Sequence, residues 1–257
     1  MRLAAWNVNS LKVRLPHLLA WLAEDDAPDI ICLQETKLED HNFPCRELRE
    51  AGFDSVFFGQ KTYNGVAIIF RSDLGEASDV EKGKPCFPDP QARLIAATIK
   101  GVRVVSAYFP NGEAVGSEKY AYKLAWMEAL HQHLSDELRR FPDLTLCGDF
   151  NIAPEDRDIH DPKRWEGGIL CSDAERGAFT SLISLGLTDS FRLFDQPPKS
   201  FSWWDYRQFS FQKNMGLRID HILLSESLSA RATNSGIKRE LRRLPRPSDH
   251  APVWVEI

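Results

Sequence analysis

Short apolar runs, separated by polar or turn residues, recur along the chain. Several are rich in Val and Ile, and each ends near a polar residue, a pattern typical of buried β-strands. The runs predicted as strands are residues 3–8, 30–34, 66–70, 94–99, 102–108, 144–147, 219–224 and 252–257.

Three segments between these runs have apolar residues at the spacing of an amphipathic helix: residues 11–24, 120–141 and 172–185. In the third, Ser172 is placed as an N-cap, and Glu175 follows three residues later, as in a capping box. Strands outnumber helices, and several follow one another with no helix between them. We therefore predict a mixed α/β arrangement rather than repeated β-α-β units.

No Gly/Ser linker or low-complexity tract interrupts the pattern, so we expect one domain over residues 1–257. Both halves contain an apolar strand followed by a carboxylate, at "ICLQE" (31–35) and "TLCGDFN" (145–151). This similarity indicates two alike layers packed face to face. Within the second stretch, Gly148 permits a close approach to the backbone.

The charge balance restricts the class of protein. With 32 basic and 37 acidic residues the net charge is −5, which argues against a protein that coats nucleic acid by bulk charge. The negative net charge is still compatible with a nucleic-acid-binding protein that has a local basic face around an acidic, metal-binding cleft. Residues 238–246 carry five basic residues, and a solvated surface is the simpler interpretation of that run.

Five scattered cysteines (Cys32, Cys45, Cys86, Cys147 and Cys171) form no Cys-x-x-Cys pair, so neither a zinc site nor a disulfide framework is indicated. Cys32 and Cys147 lie in apolar runs, where a reduced core thiol is expected. The first six residues lead into a strand pattern, and no apolar run approaches the about 20 residues of a membrane helix. We therefore expect a cytoplasmic protein that does not enter membranes.

Polar side chains stand at the ends of five predicted strands. Taken singly, each has an ordinary explanation, such as a turn at Asn7, an ion pair of Glu35 with Lys37, or a cap at Asp149. Asp220 is different, because an aspartate inside an apolar run needs a partner, and His250 is the obvious candidate. Strand ends are where α/β sheets place their functional sites, so we expect these residues to converge.

Such an oxygen-rich set suits a hard divalent cation such as Mg²⁺. A cation beside a carboxylate-oriented imidazole suits hydrolysis of a phosphate ester, because both neutralise developing negative charge. Tyr108 either adds a phenol to this site or belongs to the core. The candidate metal ligands are Asn7, Glu35, Asp149, Asn151, Asp249 and His250.

With these residues in hand, the chain resembles the exonuclease III family of DNA-repair nucleases, within the endonuclease/exonuclease/phosphatase superfamily. The resemblance covers essentially the whole length through collinear motifs: "WNVNSL", "LQETK", "YNGVAI", "YFPNG", "GDFNIAP", "FSWWDYR", "GLRIDHIL" and "PSDHAPV". It implies a four-layer α/β sandwich, with two mixed sheets face to face and helices outside. It also implies Mg²⁺- or Mn²⁺-dependent hydrolysis of duplex DNA at abasic sites and 3′ ends.

The resemblance also implies roles for the site residues. Asn7 and Glu35 would hold the metal, with Asp249 nearby, although Asn9 stands where some relatives carry an aspartate. Asp149 would activate the attacking water. The other implied roles are positioning of that water by Asn151, a phosphate contact from His250 held by Asp220, and a contact of Tyr108 with the phosphate or leaving group.

DNA contacts are the next implication of the resemblance. The loop Tyr63, Asn64 and Gly65 would meet the DNA backbone, with a plain turn as the competing account. Strand-like alternation would place Phe201 and Trp203 on one face and Trp204 and Tyr206 on the other. Part of this stretch would form an aromatic wall for an extruded sugar. Further candidate contacts are Lys119, Trp203, Trp204, Arg207, Leu217 and Arg218.

The loop at residues 164–168 contains Gly167 and Gly168, whose small size would leave space for an abasic sugar, so we hypothesise AP-endonuclease activity. Two alternatives stay open at this point: a superfamily phosphatase acting on another phosphate ester, and a catalytically silent DNA-binding scaffold. A monomer is the default oligomeric state.

Overall fold

The computed structural model describes residues 1–84 and 87–257. Within them the strands are β1 (Arg2–Asn7), β2 (Ile30–Gln34), β3 (Phe53–Phe58), β4 (Val66–Arg71), β5 (Ser78–Lys82), β6 (Leu94–Ile99), β7 (Val102–Tyr108), β8 (Leu144–Asp149), β9 (Thr188–Asp189), β10 (Asp220–Leu224), β11 (Asn234–Ile237) and β12 (Val253–Glu256). The α-helices there are α1 (Leu11–Leu22), α2 (Cys45–Glu50), α3 (Glu118–Arg140), α4 (Pro162–Trp165), α5 (Asp173–Ser184) and α6 (Glu226–Ser229).

The strands form two six-stranded sheets. The first has the order β11-β12-β1-β2-β4-β3 and the second β5-β6-β7-β8-β10-β9. One pair in each sheet is parallel, β1 with β2 and β7 with β8, and the other pairs are antiparallel. The predicted mixed α/β arrangement is therefore confirmed.

The two sheets pack face to face over a shared apolar core. In β1, Leu3 and Ala5 point into this core, whereas Ala4 and Trp6 point to the opposite face, under α1. The outer face of the second sheet is covered by α3 and α5 in the same way. Central strands buried on both faces read as continuous apolar runs, which is why the sequence predicted them well.

The predicted helices are present, and the start of α5 matches in detail. The Ser172 hydroxyl accepts from the Glu175 N–H, and the Glu175 carboxylate accepts from the Ser172 N–H, which completes the capping box. Helix α3 begins earlier than predicted, because the Ser117 hydroxyl caps it by accepting from the Tyr120 N–H at 3.1 Å.

The hydrophobic pattern did not predict four strands: β3, β5, β9 and β11. All four lie at the edges of the sheets, and β5 and β11 are polar in composition. Because edge strands are covered on fewer sides, they need no continuous apolar run. The hydrophobic pattern therefore identified the centre of each sheet and missed its borders.

The cysteines follow the sequence expectation where they are described. Cys32, Cys45, Cys147 and Cys171 are free, and Cys32 and Cys147 are buried in the core between the sheets. Cys86 lies outside the described residues. Across residues 1–84 and 87–257, no helix combines the length and apolar character that a membrane crossing requires.

The parallel pairs bring their strand ends to one edge of the sandwich. Asn7 at the end of β1 pairs with Gln34 at the end of β2, and Tyr108 of β7 pairs with Asp149 of β8. Asp149 also pairs with Asp220, the first residue of β10. Polar residues distant in sequence are thus fixed side by side by backbone register.

Gly148 is the tightest point of this edge. The close approach that it permits is to the neighbouring strand, since a Cβ built on Gly148 overlaps the Ala107 carbonyl oxygen. We expect Gly148→Ala to destabilise the fold by about 3 kcal/mol, because β7 and β8 would have to separate. Urea unfolding measures this change.

Gly177→Ala is the matched control for Gly148→Ala. Gly177 is exposed on α5, and a Cβ built on it meets no described atom within 4 Å outside its own helix turn, so its substitution should stabilise the protein by up to about 1 kcal/mol. Equal unfolding midpoints for Gly148→Ala and the parent protein would contradict the packing argument.

Candidate active site

The buried carboxylate of Asp149 is the centre of the site. One of its oxygens, Oδ2, accepts from the Asn7 side-chain amide at 2.9 Å, and Oδ1 accepts from the Asn151 backbone N–H at 2.9 Å. The same Asn7 amide donates to Oε1 of Glu35 at 2.8 Å. The predicted convergence of Asn7, Glu35 and Asp149 is therefore present.

Glu35 is aimed at the site by its backbone. Its φ is 51°, an unusual value for a non-glycine residue, at the position directly after β2. Oε2 of Glu35 forms an ion pair with Lys37 Nζ at 2.8 Å, as the ordinary interpretation of the sequence expected. Asn9, Lys37 and Asn151 also have positive φ, and such strain clusters at functional sites.

His250 lies between two carboxylates. Its Nδ1–H donates to Oδ2 of Asp220 at 2.9 Å, and its Nε2 lies 3.8 Å from Oδ2 of Asp149. The predicted partner of Asp220 is thus confirmed. Burial alone would lower the pKa of His250, but the charges of Asp220 and then Asp149 outweigh it and raise the pKa to about 10.

The pKa of Asp149 rises to about 7, mainly because burial disfavours its charged form and secondarily because Asp220 is near. The His250 charge and the hydrogen bonds from Asn7 and Asn151 oppose this rise. A carboxylate with a pKa near neutrality is matched to the task of accepting a proton from water at neutral pH. A protonated His250 beside it supplies positive charge for an anion.

Asn151 is positioned by residues that the sequence analysis missed. Its side-chain Oδ1 accepts from Asn111 at 3.1 Å, and its Nδ2 donates to the Phe109 carbonyl at 3.1 Å. Below it, the buried Lys123 ammonium donates to the Asn151 carbonyl at 2.7 Å and pairs with Glu175. Asn111 lies in the "YFPNG" motif, which could have identified it as a site residue. Lys123 lies within α3, where no sequence motif marks it.

Tyr108 faces a wide cleft of about 1,340 Å³. Burial, reinforced by the charges of Glu35 and Asp149, raises the pKa of its phenol well above the usual value, so the hydroxyl stays protonated. The Arg93 guanidinium lies 4.9 Å from the centre of the Tyr108 ring, another contact without a sequence signal. Four of the predicted DNA contacts line the same cleft: Tyr63, Asn64, Lys119 and Arg207.

Asp249 joins this region through Asn9 and Trp203. Oδ1 of Asp249 accepts from the Asn9 amide, and Oδ2 accepts from the Trp203 indole N–H at 3.0 Å. Burial would raise the pKa of Asp249, but His250 and these hydrogen bonds lower it below the ordinary value. Asp249 therefore stays ionised near the His250 side of the site.

A second, smaller pocket of about 270 Å³ lies beside the cleft. Its walls include Trp203, Leu217 and Arg207, three of the predicted DNA contacts, together with Arg164 and Trp165. Arg207 lines both the pocket and the cleft, so the two are adjacent. The aromatic wall expected near Trp203 and Leu217 thus has a cavity in front of it.

Two predicted DNA contacts, Trp204 and Arg218, have a different environment. Residues 201–206 form no regular strand, so alternation fails, and Trp204 and Phe201 are both core residues. Arg218 is 1% exposed and forms ion pairs with Asp158 and Asp189. The side chains of Trp204 and Arg218 are therefore buried in the protein, and neither lines the cleft or the pocket.

Gly65 is also buried. The close approach that it allows is to the Thr36 hydroxyl, next to Glu35, because a Cβ on Gly65 overlaps that oxygen. Its φ of 90° is one that glycine adopts readily. Gly65 thus supports the turn that presents Tyr63 and Asn64 to the cleft.

The donor chemistry of the site fits a hard divalent cation. Carboxylate oxygens of Glu35 and Asp149 converge on one amide, and the Glu35 side chain is still 19% exposed. Ligand atoms of Asp149, Asp220 and His250 also lie within 4.8 Å of one another. However, a protonated imidazole does not coordinate metal, so the raised pKa of His250 favours an ion-pair network there.

Comparisons with known proteins agree with this geometry. A family model described as "Endonuclease/Exonuclease/phosphatase family" matches residues 4–250. The chain belongs to this family. Exodeoxyribonuclease III of Haemophilus influenzae is 37% identical, over 100% of this chain and 99% of its own length.

Two solved structures of family members are also similar. A 3′ phosphatase from Neisseria, bound to a product DNA hairpin, has a TM-score of 0.97 and 48% identity, over 100% of this chain and 99% of that one. An AP endonuclease from Archaeoglobus fulgidus has a TM-score of 0.94 and 35% identity at the same coverage. The predicted four-layer sandwich and the resemblance to the exonuclease III family are confirmed.

This member of the endonuclease/exonuclease/phosphatase family is therefore a nuclease, and enzymes of the exonuclease III family are metal-dependent. The names of these relatives, together with a DNA repair nuclease of Danio rerio that is 30% identical over 99% of this chain and 81% of its own length, favour a DNA nuclease over a phosphatase of another phosphate ester. A catalytically silent scaffold is disfavoured by the intact network of the buried Asn7, Asp149, Asp220 and His250 with the partly exposed Glu35.

We expect Asp220→Asn to lower the pKa of His250 from about 10 toward the ordinary value near 6.5, because the largest charge that raises it is removed. Above the lowered pKa the imidazole loses its proton. Activity of the variant should therefore fall as the pH rises from 6.5 to 9, whereas the parent retains its His250 charge. Histidine NMR titration, with pH–rate profiles, measures both effects.

Asp136→Asn, on the exposed side of α3, is the control for Asp220→Asn and should leave the His250 pKa unchanged. A His250 pKa near 10 in Asp220→Asn would refute the role of Asp220.

Proposed function

We propose that the chain hydrolyses phosphate esters of duplex DNA, as a 3′→5′ exonuclease, in cleaning of 3′ ends, and by incision at abasic sites. The observation that carries this proposal is the buried Asn7–Asp149–His250–Asp220 network. It adjoins Tyr108, which pairs with Asp149 across the sheet and lines a cleft that also has cationic side chains. The names of the Neisseria and Archaeoglobus relatives support both the 3′-end and the abasic activities.

In this proposal Asp149 accepts the proton of the attacking water. Its pKa near 7 suits that transfer at neutral pH. His250, charged and fixed by Asp220, donates a hydrogen bond to a phosphate oxygen as negative charge develops. The protonated phenol of Tyr108 faces the same space and stabilises the phosphate or the leaving group.

A divalent cation, Mg²⁺ or Mn²⁺, is proposed at Glu35 and Asn7, with Asp249 nearby. When bound, it would neutralise charge on the phosphate and the leaving oxygen. Asn151, held by Asn111 and Lys123, fixes the loop that follows Asp149 and positions the water.

Incision at abasic sites rests on the small pocket beside the cleft. Its volume of about 270 Å³ and its Trp203 and Leu217 walls suit an extruded sugar without a base. In the neighbouring loop, a Cβ built on Gly167 meets no atom of the described residues within 4 Å apart from its chain neighbours, whereas a Cβ on Gly168 would lie 3.1 Å from the Trp165 carbonyl oxygen. We propose that the enzyme acts as a cytoplasmic monomer on duplexes with abasic sites or 3′ ends.

We expect Mg²⁺-dependent cleavage of three labelled duplexes, carrying an abasic analogue, a 3′-phosphate or a recessed 3′-OH. EDTA should abolish all three reactions because the cation is removed. Gel assays with matched undamaged duplex measure each activity. Attack on the ends without internal incision would reject the abasic activity, and DNA binding without any cleavage would favour the silent scaffold.

We expect Asp149→Asn to reduce turnover by about 10²- to 10⁴-fold, since the group that accepts the proton is lost, while the amide keeps the size of the side chain. DNA affinity should stay within about twofold of the parent value. Rapid-quench assays and fluorescence anisotropy measure the two quantities.

Asp156→Asn, which changes an exposed carboxylate at the start of the 3₁₀-helix Asp156–Asp158, is the matched control for Asp149→Asn. Near-parental turnover in Asp149→Asn would contradict its proposed role.

A further inference from the structure

A second cationic groove lies outside the cleft. Arg239, Arg242 and Arg243 line it together with Phe211 and Pro247, and its volume is about 630 Å³. The three arginines lie on one short 3₁₀-helix, Arg239–Arg243, within the basic run of residues 238–246. We call this feature the arginine groove.

The arginine groove carries positive charge that the protein does not neutralise. Lys238, in the same basic run, forms ion pairs with Glu24 and Asp26. By contrast, Arg239, Arg242 and Arg243 form no ion pair with the acidic residues described in the structure. The run is therefore more than a solvated surface.

Arg242 shows the imbalance most clearly. It is only 7% exposed, yet its buried Nε has no hydrogen-bond partner within the described chain. Its guanidinium lies 5.1 Å from the ring centres of Tyr206 and Phe211, and Nη2 makes one long bond to the Trp204 carbonyl at 3.4 Å. A buried guanidinium with unused donors is costly unless a ligand accepts them.

Arg239 repeats this arrangement. Its guanidinium lies 4.9 Å from the Phe211 ring centre and 5.3 Å from the Trp204 ring centre, and its Nε is also buried without a partner. Burial, and then the charge of Arg243, lowers the pKa of Arg239. The aromatic rings hold two guanidinium planes in fixed positions, which preorganises them for an anion.

The arginine groove lies next to the catalytic residues. Pro247 lines it, and the Pro247 carbonyl accepts from Arg14 at 2.6 Å and from the Tyr206 hydroxyl at 2.8 Å. Three residues further along the chain is His250, so their Cα atoms are at most about 11 Å apart. This upper limit, from one wall of the groove at Pro247 to His250, corresponds to about three base pairs along B-DNA.

We propose that the arginine groove binds the phosphate backbone of the DNA duplex a few base pairs from the cleaved linkage. The planar guanidinium groups match phosphate oxygens in pairs, and the charge of the groove complements the polyanion. In a chain of net charge −5, this local site supplies attraction that bulk charge does not. The inference rests on the proposed action on duplex DNA and adds a contact remote from the chemistry.

The test combines Arg239→Gln and Arg243→Gln in one variant. The control combines Arg46→Gln and Arg139→Gln, two exposed arginines on α2 and α3, so both proteins lose two charges. The duplexes carry a 3′-phosphate at a nick. Long duplexes extend 12 base pairs on both sides, and short ones end two base pairs beyond the nick on one side or the other.

For the long duplex, we expect the Kd of the Arg239→Gln/Arg243→Gln variant to be about tenfold higher than that of the control at low salt. The slope of log Kd against log salt should fall by about 1 to 2, since about 0.9 is lost for each phosphate contact. One of the two short duplexes should show no difference, and kcat should be unchanged. Anisotropy in EDTA and steady-state cleavage in Mg²⁺ give these values.

Equal affinities and salt slopes for variant and control on the long duplex would overturn the proposal. Equal weakening on the long and both short duplexes would also overturn it, because that pattern indicates a general disturbance. A further variant, Arg242→Lys, keeps the positive charge but removes the planar guanidinium group. Its Kd for the long duplex should rise by about threefold, and its melting temperature should stay unchanged. A Kd equal to that of the parent protein would contradict the role of the arginine groove.

Failure of the proposed function has a separate signature. A parent protein that cuts no duplex in Mg²⁺ would reject the DNA nuclease itself. A parent that cuts the short and long duplexes, with variant and control indistinguishable in binding, would reject the arginine groove alone.

Discussion

The buried ion network of Asp149, His250 and Asp220 is the interaction on which the site depends. An isolated charge inside a protein is strongly unfavourable, and removing one partner of a buried pair typically costs about 3 to 5 kcal/mol. Here an imidazolium lies between two carboxylates, and each oxygen of Asp149 accepts a hydrogen bond, Oδ2 from the Asn7 amide and Oδ1 from the Asn151 N–H. The network is tolerated because nearly every polar atom in it has a partner.

The two-sheet topology brings these partners together. Asp149 ends β8, Asp220 begins the antiparallel neighbour β10, and their register sets them directly opposite each other. His250 arrives from the other sheet, just before β12, and its backbone is held by the Trp6 indole and the Ser248 hydroxyl. A charge network across two sheets therefore couples the catalytic geometry to the packing between them.

The sequence predicted those parts of the fold that are buried, because buried segments are apolar in composition. Central strands are covered on both faces, so they appear as apolar runs, and their polar ends were recognisable as site residues. Edge strands such as β5 and β11 are polar and left no such signal. Asn111, which orients Asn151, lay inside a motif but became meaningful only when its partner was located.

The direction in which a side chain points was the least predictable property. Arg207 and Arg218 lie in the same segment and look equivalent in sequence, but one side chain is 88% exposed beside two cavities and the other is sealed by Asp158 and Asp189. Trp203 and Trp204 are neighbours, and only the first lines the pocket. No period of two applies there, because residues 201–206 do not form a strand.

The arginines of the chain divide according to their partners, and that division separates structure from binding. Arg103 is buried against Glu137, and Arg218 is buried against two aspartates, so the charges of both arginines are neutralised within the fold. Arg239 and Arg242 are stacked on aromatic rings, and the Nε of each donates to nothing in the described chain, although each Nη2 makes one long bond to a backbone carbonyl. The net charge of the protein is negative, but the unpaired donors of Arg239 and Arg242 lie close to the catalytic residues. The positive potential of the arginine groove is therefore located where a bound DNA duplex would lie.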